Sequence, residues 1–179
     1  MCQFITLIFP SKSVCERLRD VFPTYCLAPN RVENRSVRAQ LKPEEAYYVA
    51  TAGLCQCGTG LGSLAHTVTR ASLEESREEA KRVKKGWSAP RIARWKAERK
   101  EAEMRQEEAR RTKYLSSAER WRAFLLATDG TRLGILLHWY GSSVQDEVFG
   151  TLARRFVPRV TLTVEMLMHL EEDTIYEFD

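Results

Sequence analysis

The sequence predicts an α/β fold, with α+β as the alternative. We expect a single mixed-sheet sandwich of about five strands with an inserted, projecting and charged helical hairpin. Short apolar segments rich in β-branched and aromatic residues alternate with amphipathic segments. A central segment of Glu, Lys, Arg and Ala has helix composition but few apolar residues. Residues 1–68 and 114–179 therefore form one predicted core domain, and residues 69–113 form the insertion.

The first part of the core is predicted as strand, helix, strand. Residues 2–9 are apolar and β-branched and are followed by a proline, which is typical of a strand buried on both faces. Ser13 stands three residues before Glu16, the spacing of a capping box, which predicts a helix over about residues 13–22. After a polar loop, residues 46–51 have strand composition.

The insertion is predicted to be two helices, at 72–85 and 91–113. Between them Gly86 is a helix terminator and Pro90 suits a first helical turn. Because few apolar residues interrupt the charges, the pair is expected to pack along one narrow stripe and to expose the rest of its surface.

The second part of the core follows the insertion. Its predicted elements are a helix opened by a capping box at 116–119, a central strand at 132–140, a helix that begins at Ser142 or Ser143, a strand near 157–162, a short helix capped by Thr163, and a final edge strand at 173–178. The residues of the helix after Ser143 that are expected to face the core are Val144, Val148, Phe149, Leu152 and Phe156.

The charges are distributed unevenly. The chain has 28 basic and 24 acidic residues, but residues 70–113 hold 15 of the bases and only nine of the acids. Residues 165–179 contain six acids and no Lys or Arg. This layout favours an acidic partner at the hairpin or a basic one at the C-terminal surface.

The leading functional hypothesis is a small cytoplasmic protein-binding module of the immunity-protein, antitoxin or adaptor kind. It would recognise its partner through the hairpin, the acidic C-terminal surface or both. Aromatic, arginine and methionine side chains are typical anchors of such contacts. The predicted anchors are Trp87, Arg91, Arg94, Trp95, Arg99 and Met104.

Nucleic-acid binding by the basic hairpin is the alternative, because clustered cations bind phosphates through counterion release. The interleaved acids, such as Glu74 and Glu78 beside Arg77 and Arg82, have the spacing of paired charges on a solvated helix face. That pattern favours the protein-binding hypothesis.

Cysteine placement suggests a metal site or a thiol chemistry. Cys55 and Cys57 lie one residue apart in a glycine-rich turn, and Cys2 with His66 would complete a Cys3His zinc site. An antiparallel arrangement of residues 2–9 and 46–51 would bring Cys2 to the pair. Ordinary reduced cysteines or a redox couple are the alternatives.

Enzymatic activity is not favoured, since the chain contains no recognisable catalytic motif. A thiol-dependent enzyme using Cys2, Cys55 and Cys57 remains the third class of function. His138 ends the predicted central strand, where α/β proteins display functional side chains, but no nucleophile neighbours it in sequence. No apolar stretch approaches membrane-helix length and no secretory signal is evident, so we expect a cytoplasmic protein with no membrane partner.

Overall fold

The computed structural model describes residues 2–51, 56–65 and 71–179, with only the backbone described for 71–77. The strands in these ranges are β1 (Cys2–Phe9), β2 (Asn30–Arg31), β3 (Ala46–Val49), β4 (Leu133–Tyr140), β5 (Ala153–Val157) and β6 (Thr174–Phe178). The α-helices are α1 (Lys12–Arg17), α2 (Arg35–Arg38), α3 (Ala71–Lys84), α4 (Ala89–Ala127) and α5 (Val164–Met168). The predicted α/β class is confirmed, with six strands in one mixed sheet.

The sheet has the order β2-β3-β1-β4-β6-β5. β1 is antiparallel to both of its neighbours, whereas β5 and β6 are parallel. β1 and β4 lie at the centre and are apolar at nearly every position, because both faces of the sheet are covered.

Two apolar clusters lie on the two faces of the sheet. On one face, α1, α5 and the last turns of α4 pack on the strands, with Phe124 and Leu125 of α4 fully buried. On the other face, α2 and the segment 141–152 cover the strands, and Val37 and Phe149 are buried there. The sheet therefore lies between two covering layers, with one apolar cluster on each of its faces.

Contacts divide the chain into two compact units. We call Met1–Ala65 with Tyr114–Asp179 the sheet unit, and His66–Lys113 the hairpin unit. No helix in the described part of the chain has the length and the apolar character that a membrane crossing requires.

The prediction of a new helix at 116–119 was wrong, because α4 runs unbroken from Ala89 to Ala127. No glycine or proline follows Pro90 within it, and a serine inside a helix costs only about 0.5 kcal/mol. Ser116, the predicted cap, lies inside α4, and the hydroxyl of the adjacent Ser117 lies 3.4 Å from that of Thr59.

The predicted helix after Ser142 was also wrong. Residues 141–152 are irregular, and side chains of and around α2 bind their backbone. Asn34 donates its amide to the Glu147 carbonyl at 2.7 Å, and Gln40 accepts from the Leu152 N–H at 2.7 Å. Phe149 does reach the core, but Val148 is exposed, and so is Phe156, which lies in β5. These long-range hydrogen bonds replace those of a helix.

Strand and helix positions differ in three further places. The predicted strand near 157–162 lies earlier, as β5, and Val160 in the following 3-10 turn is 93% exposed. β6 is not an edge strand, since β5 pairs beyond it. α1 begins at Lys12 and ends at Arg17, so Ser13 is not its cap.

The short helix predicted after Thr163 is present as α5. The Thr163 hydroxyl accepts a hydrogen bond from the Met166 N–H at 3.1 Å, which is the predicted cap. A threonine cap satisfies an N–H that the helix itself leaves without an acceptor.

A buried arginine closes the C-terminal end of α4. Arg159 is 5% exposed, and its guanidinium donates to the carbonyls of Leu125 and Thr131 and to the Thr128 hydroxyl. The carbonyls at a helix end lack partners within the helix, so a cation there satisfies both hydrogen bonding and the helix dipole. Burial lowers the pKa of Arg159 below its ordinary value.

We expect Arg159→Met to lower the free energy of unfolding by about 2 kcal/mol, because it leaves buried carbonyls without donors. Arg155→Met is the matched control, since the Arg155 side chain is 54% exposed and forms a surface pair with Glu171. Urea denaturation of both variants measures the difference. Equal losses would contradict the capping role of Arg159.

Candidate functional site

Three arginines and two tryptophans stack alternately in the hairpin unit. Arg82 of α3 lies over both rings, 3.8 Å from the ring centroid of Trp95 and 5.5 Å from that of Trp87. Arg91 lies 4.1 Å from the Trp87 centroid, and Arg99 lies 5.7 Å from the Trp95 centroid. The order is Arg91, Trp87, Arg82, Trp95, Arg99, and we call this set the guanidinium–indole ladder. Cation–π contacts of this kind stabilise the pairing of the two helices.

The turn between α3 and α4 explains why the ladder can form. Gly86 has a φ of +76°, and the N–H groups of Gly86 and Trp87 donate to the Val83 and Arg82 carbonyls. This is the pattern of a Schellman motif, which requires the left-handed conformation that glycine adopts without strain. It reverses the chain sharply and places Trp87 beside the last turn of α3.

An ion pair and a buried side chain hold the helices together further along. Lys96 Nζ of α4 lies 2.7 Å from Glu79 Oε2 of α3, and Ile92 is buried. Arg82 donates to Glu78, and this hydrogen bond lowers the pKa of the Glu78 carboxyl below its ordinary value.

The stretch from residue 80 to residue 97, which we call the basic tip, has seven cations and no acidic residue. Lys81, Arg82 and Lys96 are paired with carboxylates of α3. Four exposed cations of the tip form no ion pair with an acidic side chain that the structure describes. These are Lys84, Lys85, Arg91 and Arg94. The tip therefore presents unneutralised positive charge.

The structure brings together four of the six predicted anchors, Trp87, Arg91, Trp95 and Arg99. Arg94 is exposed outside the ladder, and Met104 lies in the segment 100–113, whose residues are all exposed. Sequence reasoning missed Arg82, the central member. Arg82 and Trp95 are far apart in the sequence, so nothing in the sequence pattern indicates that they are in contact before the two helices pair.

The cysteine prediction is tested only in part. β1 and β3 are antiparallel, the direction that would bring Cys2 to the cysteine pair. The Gln3 N–H donates to Cys57 Sγ at 3.2 Å, so Cys57 lies at the start of β1. Cys55 and His66 fall outside the described residues, and the described ones contain no group of three metal-ligating side chains. Cys57 is disulfide-bonded, whereas Cys2 is free and exposed. Because Cys55 and His66 lie outside the described residues, the zinc site stays a prediction.

Gln56, between the two cysteines, has a structural role that the sequence did not reveal. Its N–H donates to the Gln3 carbonyl at 2.9 Å, and its side-chain oxygen accepts from the Ile5 N–H at 2.8 Å. The segment thereby continues the hydrogen bonding of β1 beyond the end of β3.

His138 of β4 lies between the carboxylates of Asp173 and Glu147. Its Nδ1 is 2.6 Å from Asp173 Oδ1, and its Nε2 is 3.8 Å from Glu147 Oε1. The ring packs on Phe149, with the centroids 4.1 Å apart. The nearby Ser142 hydroxyl donates to Glu147 at 2.7 Å instead of facing the imidazole. The cluster joins β4 to the segment 141–152, and this geometry does not set up a serine nucleophile.

Three of the six acidic residues at the C-terminal surface, Glu171, Asp173 and Glu177, are paired with basic side chains of the sheet unit. Glu177 is buried and accepts hydrogen bonds from Arg132 and Arg154. Arg154 also donates to Glu45 at 2.8 Å. Burial opposes ionisation of both glutamates, but the arginine hydrogen bonds outweigh it and hold both pKa values below the ordinary range.

This network predicts a loss of stability in acid. Because the folded pKa values are lowered, the stabilisation is complete above the unfolded glutamate pKa and is lost as the pH falls through the folded values. We expect Glu177→Gln to lower the free energy of unfolding at neutral pH by roughly 2 kcal/mol and to weaken its dependence on acid pH. Urea titrations at about four pH values between pH 3 and pH 7 measure the free energy of unfolding of the wild type and of Glu177→Gln. The surface variant Glu171→Gln is the control. A wild-type acid profile in Glu177→Gln would contradict the network's role.

The basic tip is thus the candidate functional site. Its exposed arginines, Arg91 and Arg94, have no described acidic partner and lie in or beside the guanidinium–indole ladder. No family model matches the chain, and comparison with the curated proteins and with the solved structures finds no match.

Proposed function

We propose that the chain is a protein-binding module of the immunity-protein, antitoxin or adaptor kind, which docks through the hairpin unit. The guanidinium–indole ladder carries this proposal. Tryptophan and arginine are the residue types that contribute most to protein interfaces. A stack that is already ordered loses little side-chain entropy on binding, so its contacts translate efficiently into affinity.

The hairpin is favoured over the C-terminal surface because three of the acidic side chains at the C-terminal surface are paired within the chain, whereas several hairpin cations are not. Glu177, Asp173 and Glu171 are each engaged by a basic side chain of the sheet unit. In the hairpin unit, exposed cations such as Lys85 and Arg94 have no described acidic partner. A partner that supplies carboxylates gains more at the hairpin.

Nucleic acid is the second candidate, and the seven cations of the basic tip favour it. Two observations weigh against it. Each indole of the ladder already contacts two guanidinium groups, which compete with bases for its faces. An exposed carboxylate, Glu98, also follows the tip on α4 and would repel an extended phosphate track.

Co-purification from the native cell tests the proposal. The full chain is compared with the charge reversal Arg91→Glu plus Arg94→Glu in the tip. Arg105→Glu plus Arg111→Glu is the matched control, because these exposed cations lie on the same helix beyond the tip. We expect one protein to be retained at moderate salt by the wild type and the control and to be lost from the tip variant.

Three results would overturn the proposal. The first is a protein partner that the tip variant retains as well as the wild type does. The second is a chain recovered alone that turns over a small substrate. The third is retained material that consists of nucleic acid and disappears on nuclease treatment.

A further inference from the structure

We propose that the segment received by the basic tip is a short acidic stretch of protein, whose carboxylates are bound by Arg91 and Arg94. This inference rests on the proposed function and specifies the chemistry of the partner.

The first step concerns which ladder arginine is available. Arg82 is paired with Glu78, and Arg99 is paired with Glu103 at 2.6 Å. Arg91 stacks on Trp87 but has no carboxylate partner among the described residues. A guanidinium held over an indole ring still has N–H donors along its edge. Arg91, whose guanidinium carbon lies 4.1 Å from the Trp87 centroid, therefore offers forked donors to a carboxylate.

The second step concerns the neighbour of Arg91. Arg94 lies three residues further along α4, so the two side chains occupy adjacent positions on the helix surface. Both are exposed. Lys84 and Lys85, at the other side of the turn, add charge without a fixed donor geometry. Two carboxylates about one helical turn apart match the two guanidinium groups.

The third step concerns the length of the segment. Beyond the tip, α4 carries the exposed carboxylates of Glu98 and Glu101, whereas Glu78 and Glu79 of α3 are paired with Arg82 and Lys96. A long polyanion would extend past the tip and meet these carboxylates, whereas a short acidic segment would not. The charge pattern thus favours a local protein epitope over duplex DNA.

Peptide binding tests this inference directly. The probe is a fluorescent peptide of about twelve residues with paired glutamates, and its counterpart carries glutamine at those positions; anisotropy with the full chain is read at fixed salt. We expect the acidic peptide to bind and the glutamine peptide to bind at least tenfold more weakly.

Variants separate geometry from charge. We expect Arg91→Gln to weaken binding of the acidic peptide about tenfold and Arg91→Lys about fivefold, because lysine keeps the charge but loses the forked donors. Arg111→Gln, an exposed cation on the same helix, should change affinity less than about twofold. Circular dichroism confirms that each variant retains its helices.

Three results would overturn the inference: equal losses in Arg91→Gln and Arg111→Gln, equal binding of the two peptides, or tighter binding of a short DNA duplex at the same salt. If no acidic peptide binds but the tip variant still loses its cellular partner, the proposed docking function stands. The inference that the bound segment is acidic is then wrong. If the tip variant keeps that partner, the docking function itself fails.

Discussion

Gly60→Ala is expected to lower the free energy of unfolding of the sheet unit by about 3 kcal/mol or more. A Cβ at Gly60 would overlap the backbone carbonyl of Tyr114 and lie 2.9 Å from the backbone nitrogen of Ala118. Both atoms belong to α4, and backbone atoms inside a helix cannot move aside as a flexible side chain can. The glycine-rich stretch thus serves a close approach between chain segments, which only a residue without a side chain permits.

Gly150→Ala provides the control, because a Cβ there meets no atom within 4 Å. We expect its stability to lie within about 0.5 kcal/mol of the wild type. Thermal and urea denaturation of the two variants measure the contrast. A Gly60→Ala protein as stable as Gly150→Ala would show that the segment does not pack against α4.

Leu125→Ala is expected to cost roughly 3–5 kcal/mol, the range for removing a fully buried leucine side chain and leaving a cavity. Leu125 is 0% exposed and packs under the sheet, whereas the next residue, Leu126, is 40% exposed. Leu126→Ala makes the same chemical change one position away and should cost less than about 1 kcal/mol. Urea denaturation tests both variants, and similar losses would mean that α4 packs on the sheet through a different face.

Elements with strong local signals could be predicted from the sequence. β1 and β4 are short, continuous apolar runs bounded by turn residues. This pattern is typical of strands whose two faces are both buried. α5 was predicted because Thr163 supplies its own capping acceptor within three residues. In each case the interaction that defines the element is close in sequence.

Segment 141–152 could not be predicted, because its conformation depends on distant partners. Its apolar residues and serine cap have helical spacing, yet Asn34, Ser36 and Gln40 supply hydrogen bonds from more than a hundred residues away. Tertiary hydrogen bonds of this kind override local propensity. The exposed position of Val148 is a direct result.

The same distinction applies to the candidate site. The basic composition and the tryptophans of the hairpin were visible in the sequence, and so was the turn at Gly86. The ladder was not, because Arg82 and Trp95 approach only when the helices are antiparallel and in register. The neutralisation of the C-terminal acids was also hidden, since Arg132 reaches Glu177 only through the pairing of β4 with β6.

The position of β1 between β3 and β4 has a consequence for synthesis on the ribosome. β1 can pair with β3 early in synthesis. Its other edge pairs with β4, from Cys2 opposite Tyr140 to Ile8 opposite Gly134. Between β1 and β4 more than a hundred residues, including the whole hairpin unit, must be translated. At typical elongation rates this takes on the order of ten seconds, during which one edge of an apolar strand is unpaired. The hydrophilic hairpin adds to that interval, so newly made chains should be most prone to aggregate, and to need chaperones, just before β4 emerges.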